Sequence, residues 1–177
     1  MEQMERNGQS SVRQRLWRIR AKHVILATGA IERPLVFAGN DIPGVMLCSA
    51  ALEFYKLYGV SPGDRVVVLT NNDSAYSSVI ELFNAGISVP LVIDVREKSD
   101  GNLPLKAKKL GIRVEFSKAI SKVIGKKKVK AVELCSVVGE GAVLETIICD
   151  SVLMSGGWTS TLNPVSYTHL RAHETKT

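Results

Sequence analysis

The chain has 177 residues, room for one ordinary domain or parts of two, and its 45% hydrophobic and 23% charged residues are a core-forming mixture. It has no run of about 18 apolar residues, which excludes a membrane span, and its polar opening carries no secretory signal pattern. The net charge of +6 is scattered, and its densest run, KKKVK at 126–130, follows Gly125 without interleaved aromatics, so it reads as a solvated hairpin turn rather than a nucleic-acid surface.

Residues 1–11 are polar and unpatterned. Leu16, Trp17 and Ile19 then alternate with Arg18 and Arg20, the pattern of a half-exposed strand. The unbroken apolar run at 24–27 predicts a strand buried on both faces, ended by Thr28-Gly29-Ala30. Residues 34–44 hold two prolines, two glycines and Asn40-Asp41, which is connector chemistry. A short helix is predicted over 49–58, with Leu52, Tyr55 and Leu57 as candidate inward positions and Gly59 as its stop. The turn at 62–64 leads to a buried strand at 66–69, a helix at 74–84 with Val79, Ile80, Leu82 and Phe83 apolar, and a strand at 89–93 ending on Asp94. That order of strand, tight loop, helix, strand and acidic residue opens a dinucleotide-binding fold. Residues 105–110 supply the next helix and 112–116 a third strand. Extended segments at 119–124, 129–138 and 143–148 predict a small antiparallel meander. The last apolar run, 151–154, ends in Ser155-Gly156-Gly157-Trp158 and repeats the earlier pattern of a strand stopped by glycine.

The fold class expected is α/β: a partial, Rossmann-like, two-dinucleotide-binding-domain fold with a β meander in its second domain. Residues 1–37 would end a first, FAD-type domain and 38–62 would form a crossover connector and helix. Residues 63–158 would form a second, NAD-type domain, and 159–177 a return segment with a tail.

Two places carry candidate cofactor chemistry. Ala27, Thr28 and Gly29 end a strand, where a glycine lets the backbone approach a dinucleotide in the crevice of an open sheet. The loop after 66–69 should show GxGxxG or GxGxxA, but Thr70, Asn72 and Ala75 hold those positions. Asn72 tolerates a left-handed backbone but fills space a pyrophosphate needs. Asp73 or Ser74 can cap the helix, yet a carboxylate there competes with phosphate for the helix N-terminus. With Asn71 they form a loop that keeps the architecture and loses ordinary nucleotide binding. Asp94 stands where an acidic residue would hold a ribose hydroxyl, or is a solvated strand-end carboxylate. His23 is structural, and no nucleophile, base and orienter set is present, so no catalytic residue is assigned. Cys48, Cys135 and Cys149 fall at no metal or CxxC spacing, as expected of reduced thiols in a cytoplasmic protein.

Residues 15–76 closely resemble the alpha subunit of heterotetrameric sarcosine oxidase, most specifically in LWRIRA, LATGAIERPLVF, NDIPGVML and TNNDSAY. VIDVRE and CDSVLMSGGW extend the resemblance more loosely over about residues 16–162. It implies a large subunit whose dinucleotide-binding module carries NAD, followed by a tetrahydrofolate-binding region. A partner beta subunit would hold the flavin that oxidises the small-molecule amine, and a second flavin would lie between the subunits, FAD and FMN serving the whole complex. Ala27, Thr28 and Gly29 match the motif lining the first dinucleotide site, and residues 70–75 match the altered loop of the second. The first glycine-rich loop, the folate region and the amine site are absent, so an inactive fragment is expected. Related subunits serve opine oxidase, hydrogen cyanide synthase and amino-acid dehydrogenase complexes, which leaves the amine open. A thioredoxin-reductase-like enzyme shares the PGV connector but needs CxxC where Cys48-Ser49-Ala50-Ala51 stands, so a dithiol relay cannot form. A non-catalytic scaffold with a degenerate nucleotide site is the other alternative. After Pro164 the sequence changes character and resembles translated adapter DNA; Val165 onward is read as non-native, and His169 and His173 as no metal site.

Overall fold

The computed structural model describes residues 16–139 and 141–161. The expectations for residues 1–11 and for the tail with His169 and His173 lie outside them. In chain order the elements are β1 (Ala30–Glu32), β2 (Val45–Leu47), α1 (Cys48–Tyr58), β3 (Arg65–Thr70), α2 (Ser74–Asn84), β4 (Ser88–Asp94) and α3 (Asn102–Lys109). There follow β5 (Val114–Phe116), β6 (Lys118–Gly125), β7 (Val129–Ser136), β8 (Val143–Ile148), β9 (Ser151–Ser155) and β10 (Trp158–Ser160).

The run of β-branched residues in β3 favours an extended backbone, and parallel strands on both sides complete it. The sheet order is β2-β9-β3-β4-β5, and every pairing in it is parallel. Alternation along β3 then sorts its side chains between two cores. Val66 and Val68 pack with α1, α2 and α3 through Cys48, Ala51, Tyr76, Val79, Leu82 and Ala107. Val67 and Leu69 face the other way, onto Ile120, Val123, Val132 and Leu134 of the antiparallel meander β6-β7-β8. Both faces are therefore covered, and each fully buried Val or Leu side chain stabilises the fold by about 1.5–3 kcal/mol. The lysine run joins β6 to β7 as a turn, as its sequence predicts. No helix among the described residues is long and apolar enough to cross a membrane.

Several expectations are corrected. Residues 16–27 form no strand, and Val24, Ile25 and Leu26 are exposed, because no described segment lies beside them to complete a ladder. Among the described residues, extended pairing begins at β1, which is antiparallel to β10. The connector supplies an unexpected strand, β2, at one sheet edge. In α1 the buried or packed positions are Cys48, Ala51, Leu52 and Tyr55, one helical stripe. Leu57, two residues past Tyr55, falls on the far side and is exposed. Helix α3 starts before Leu105, since Pro104 fits a first turn where its missing N–H has no intrahelical partner to lose. Its buried residues are Pro104 and Ala107, whereas Leu105 and Leu110 are exposed.

Candidate functional site

The carboxyl ends of β9, β3 and β4 lie side by side, with Thr70 in register with both Ser155 and Asp94. This brings Thr70, Asn71, Asn72, Asp73, Ser74 and Asp94 into one neighbourhood. Thr70 folds the loop back on itself: its hydroxyl donates to the Asn72 carbonyl at 3.0 Å and accepts the Asn72 N–H at 3.1 Å. The Asn72 amide group donates to the Ser155 carbonyl (3.2 Å), the Ser155 hydroxyl (3.0 Å) and Asn71 Oδ1 (3.1 Å). Its Oδ1 accepts from the Ser74 hydroxyl at 2.5 Å and from the Ala75 N–H at 3.4 Å. Asn72 thus secures the start of α2, and the expected cap by Asp73 or Ser74 is not formed. Nor does Asn72 use a left-handed backbone; Ser117 (φ 53°) is the one non-glycine residue with positive φ among those described. A side chain bonded on both ends needs no unusual backbone to hold the turn.

Asp73 turns away from the helix instead. Its Oδ1 lies 2.7 Å from Arg96 Nη2 and accepts the Ser99 hydroxyl at 2.9 Å. Asp94 is fully buried, which corrects the solvated-carboxylate expectation. Asp94 Oδ2 accepts the Tyr76 hydroxyl at 2.8 Å and Arg96 Nη2 at 2.7 Å. Its Oδ1 accepts the Arg96 backbone N–H at 3.1 Å and Nε at 2.9 Å. A buried charge needs such compensation, and one guanidinium fork with a phenol provides it. Burial, then the hydrogen bond and charge of Asp94, push the Tyr76 hydroxyl upward. The bond to Asp94 raises Arg96 further above its ordinary range. Burial alone would raise the Asp73 carboxyl, but hydrogen bonds from Arg96 and Ser99 and the Arg96 charge outweigh it and hold the group low. Tyr76, Arg96 and Ser99 escape a motif reading, although an arginine two residues after Asp94 is a visible sign of a local ion pair.

Ala27, Thr28 and Gly29 lie elsewhere, exposed on the tie between β1 and β10. The Thr28 hydroxyl donates to the Thr161 carbonyl at 2.5 Å, and the Thr161 N–H donates to the Gly29 carbonyl at 3.0 Å. Gly29 has φ +69°, and a Cβ there would meet nothing within 4 Å. Glycine is needed for backbone shape, and the space beside it is open. The tie runs on to the second loop: Gly156 N–H donates to the Arg33 carbonyl at 2.7 Å, and Trp158 Nε1 donates to the Ser74 hydroxyl at 2.8 Å.

Such a parallel sheet, covered by helices on one face and by the meander on the other, defines a Rossmann-like α/β fold. The chain superposes on ferredoxin reductase of Rhodopseudomonas palustris with a TM-score of 0.61 at 19% identity, over 84% of this chain and 38% of that one. Thioredoxin reductase of T. acidophilum gives 0.60 at 20% identity, over 76% and 43%. Identities this low speak for the fold alone, and no protein-family model matches the chain. Sequence is more specific: the chain is 39% identical over 145 residues to the sarcosine oxidase alpha subunit of Rhizobium meliloti (strain 1021), 82% of this chain. The sarcosine oxidase alpha subunit of Corynebacterium sp. (strain P-1) is 50% identical over 90 residues, 51% of this chain and 9% of that one. The chain is a relative of the sarcosine oxidase alpha subunits, and it spans 14% of the length of the Rhizobium one.

Proposed function

We propose that the chain is part of the dinucleotide-binding module of an alpha-type subunit, in a cytoplasmic hetero-oligomeric complex that oxidatively demethylates sarcosine or a related secondary amine. The observation that carries this reading is the 39% identity over 145 residues to a sarcosine oxidase alpha subunit. Residues 1–37 would close the first nucleotide-binding unit, 38–62 cross to the second, 63–158 form it, and 159–177 hold a return segment followed by a non-native tail. NAD would lie against Ala27, Thr28 and Gly29, and when bound it would supply a hydride-accepting ring. The open backbone at Gly29 suits that approach, and the Thr28 and Thr161 bonds hold it in place. Amine oxidation would belong to a flavin-bearing beta subunit, and tetrahydrofolate to another region of the complex.

The disulfide-reductase alternative lacks its chemistry here. Cys48, Cys135 and Cys149 are free and buried. Burial and the nearby Glu32 charge push the Cys48 thiol well above its ordinary range. A relay thiol needs the opposite shift.

The test is to express the complete subunit with its partners, purify the complex and identify the cofactors released by acid. NAD and flavin are expected. Gly29→Val, a β-branched residue forced to positive φ, is expected to lower NAD occupancy several-fold while flavin is retained. A complex that releases neither cofactor would leave a scaffold role.

A further inference from the structure

We propose that the nucleotide crevice of the second βαβ unit is closed by the chain's own Arg96, with Asn72, Asp73 and Asp94 as the residues that exclude a dinucleotide from it. A dinucleotide at the end of an open parallel sheet needs three things. It needs room against the first loop, free N–H groups at the following helix N-terminus, and a free carboxylate at the end of the next strand. Each is already used.

The room is taken by the Asn72 side chain, which spans from Ser155 on β9 to the first turn of α2. Two N–H groups of the first helical turn are partnered from within: Ala75 N–H donates to Asn72 Oδ1, and Tyr76 N–H to the Asp73 carbonyl at 3.1 Å. The carboxylate of Asp94 accepts four hydrogen bonds, three from Arg96 and one from Tyr76. Nothing remains on it for a ribose hydroxyl.

Arg96 joins these parts. Its Nη2 lies 2.7 Å from Asp73 Oδ1 and 2.7 Å from Asp94 Oδ2, so one planar fork bridges the start of α2 and the end of β4. The segment after it is drawn down as well. Ser99 binds Asp73, the Gly101 N–H donates to the Ser99 hydroxyl at 3.3 Å, and a Cβ on Gly101 would collide with Asp73 Oδ2. Two carboxylates facing one guanidinium leave net negative charge where a pyrophosphate would bring more. The second unit therefore serves as a rigid support, and the module carries its dinucleotide only in the first. That last step rests on the function proposed above; the closure itself rests on the geometry.

Hydrogen–deuterium exchange on the complete subunit in its purified complex tests this. Adding NADH or NADPH should leave exchange over 70–76 and 94–101 unchanged, within about twofold. Protection of those segments by either nucleotide would overturn the proposal. Arg96→Ala should speed exchange over 96–101 at least about tenfold, equivalent to roughly 1.4 kcal/mol, and exchange like the parent would show that Arg96 closes nothing. Joint replacement Asn72→Gly, Asp73→Ser and Arg96→Ala should add new NADH-dependent protection over 70–76. A folded triple variant without it would refute exclusion by these residues, and if that variant fails to fold, the parent measurements decide. None of these readouts needs amine turnover, so failure of the proposed activity would be seen separately.

Discussion

Glu32 is buried at the end of β1, and its Oε2 accepts the Ser49 N–H at 2.8 Å and the Ser49 hydroxyl at 2.6 Å. Leu47, the residue before α1, has no side chain able to cap, so a carboxylate 17 positions upstream of Ser49 satisfies the helix start instead. Glu32→Ala should lower unfolding stability by about 0.5–2 kcal/mol, as loss of a cap does, and denaturant unfolding would measure it; an unchanged midpoint would remove Glu32 from this role. Cys149 gives a prediction in pH. Burial, then the Asp150 carboxylate, push its thiol from 9.0 up to about 12, with Arg65 opposing. A raised folded value means the contribution to stability is whole below pH 9 and is lost as pH rises toward about 12. Unfolding followed from pH 8 to 12 should show that decline, and Cys149→Ser should flatten it.

Among the elements, β3 and β9 have least freedom to change. Leu153 of β9 is fully buried against the helices, and Leu69 of β3 is buried against the meander. Truncating either to Ala should cost about 2–5 kcal/mol, measured by thermal unfolding. Gly156 is constrained from outside: a Cβ there would stand 2.9 Å from the carbonyls of both Arg33 and Pro34. Both contacts are backbone, so Gly156→Ala should force the β1–β10 ribbon apart and raise amide exchange there. The parts of the fold legible in sequence are those whose period is local. The strand at 66–69, the helix at 74–84 and the meander announce themselves by β-branched runs, helical spacing and glycine turns. A strand also needs a neighbour, and 24–27 lacks one among the described residues, so its apolar run alone misleads. At the site, the lost glycines mark the loop, and the Asn72 side chain in it bonds Ser155 on one side and the Ala75 N–H on the other. The state of Asp94 was not legible, because Tyr76 and Arg96 reach it only once α2 and β4 have packed together.

At the scale of the molecule, burial is uneven. Residues 63–158 contribute most of both cores, whereas Leu16, Trp17, Ile19, Val24, Ile25 and Leu26 face outward. Limited proteolysis of this chain should cut within 16–29 first and leave 63–158 intact; the reverse order would contradict the burial pattern. In the proposed subunit the remaining strands of the first nucleotide-binding unit would cover those apolar side chains. The most direct measurement is made on the complete subunit in complex with its partners, by following the bound flavin without oxygen as amines are added. Sarcosine or a close secondary amine should bleach the flavin absorbance. Flavin left oxidised by every secondary amine, but reduced by NADH and reoxidised by a disulfide, would contradict the assignment and place the chain in a disulfide reductase.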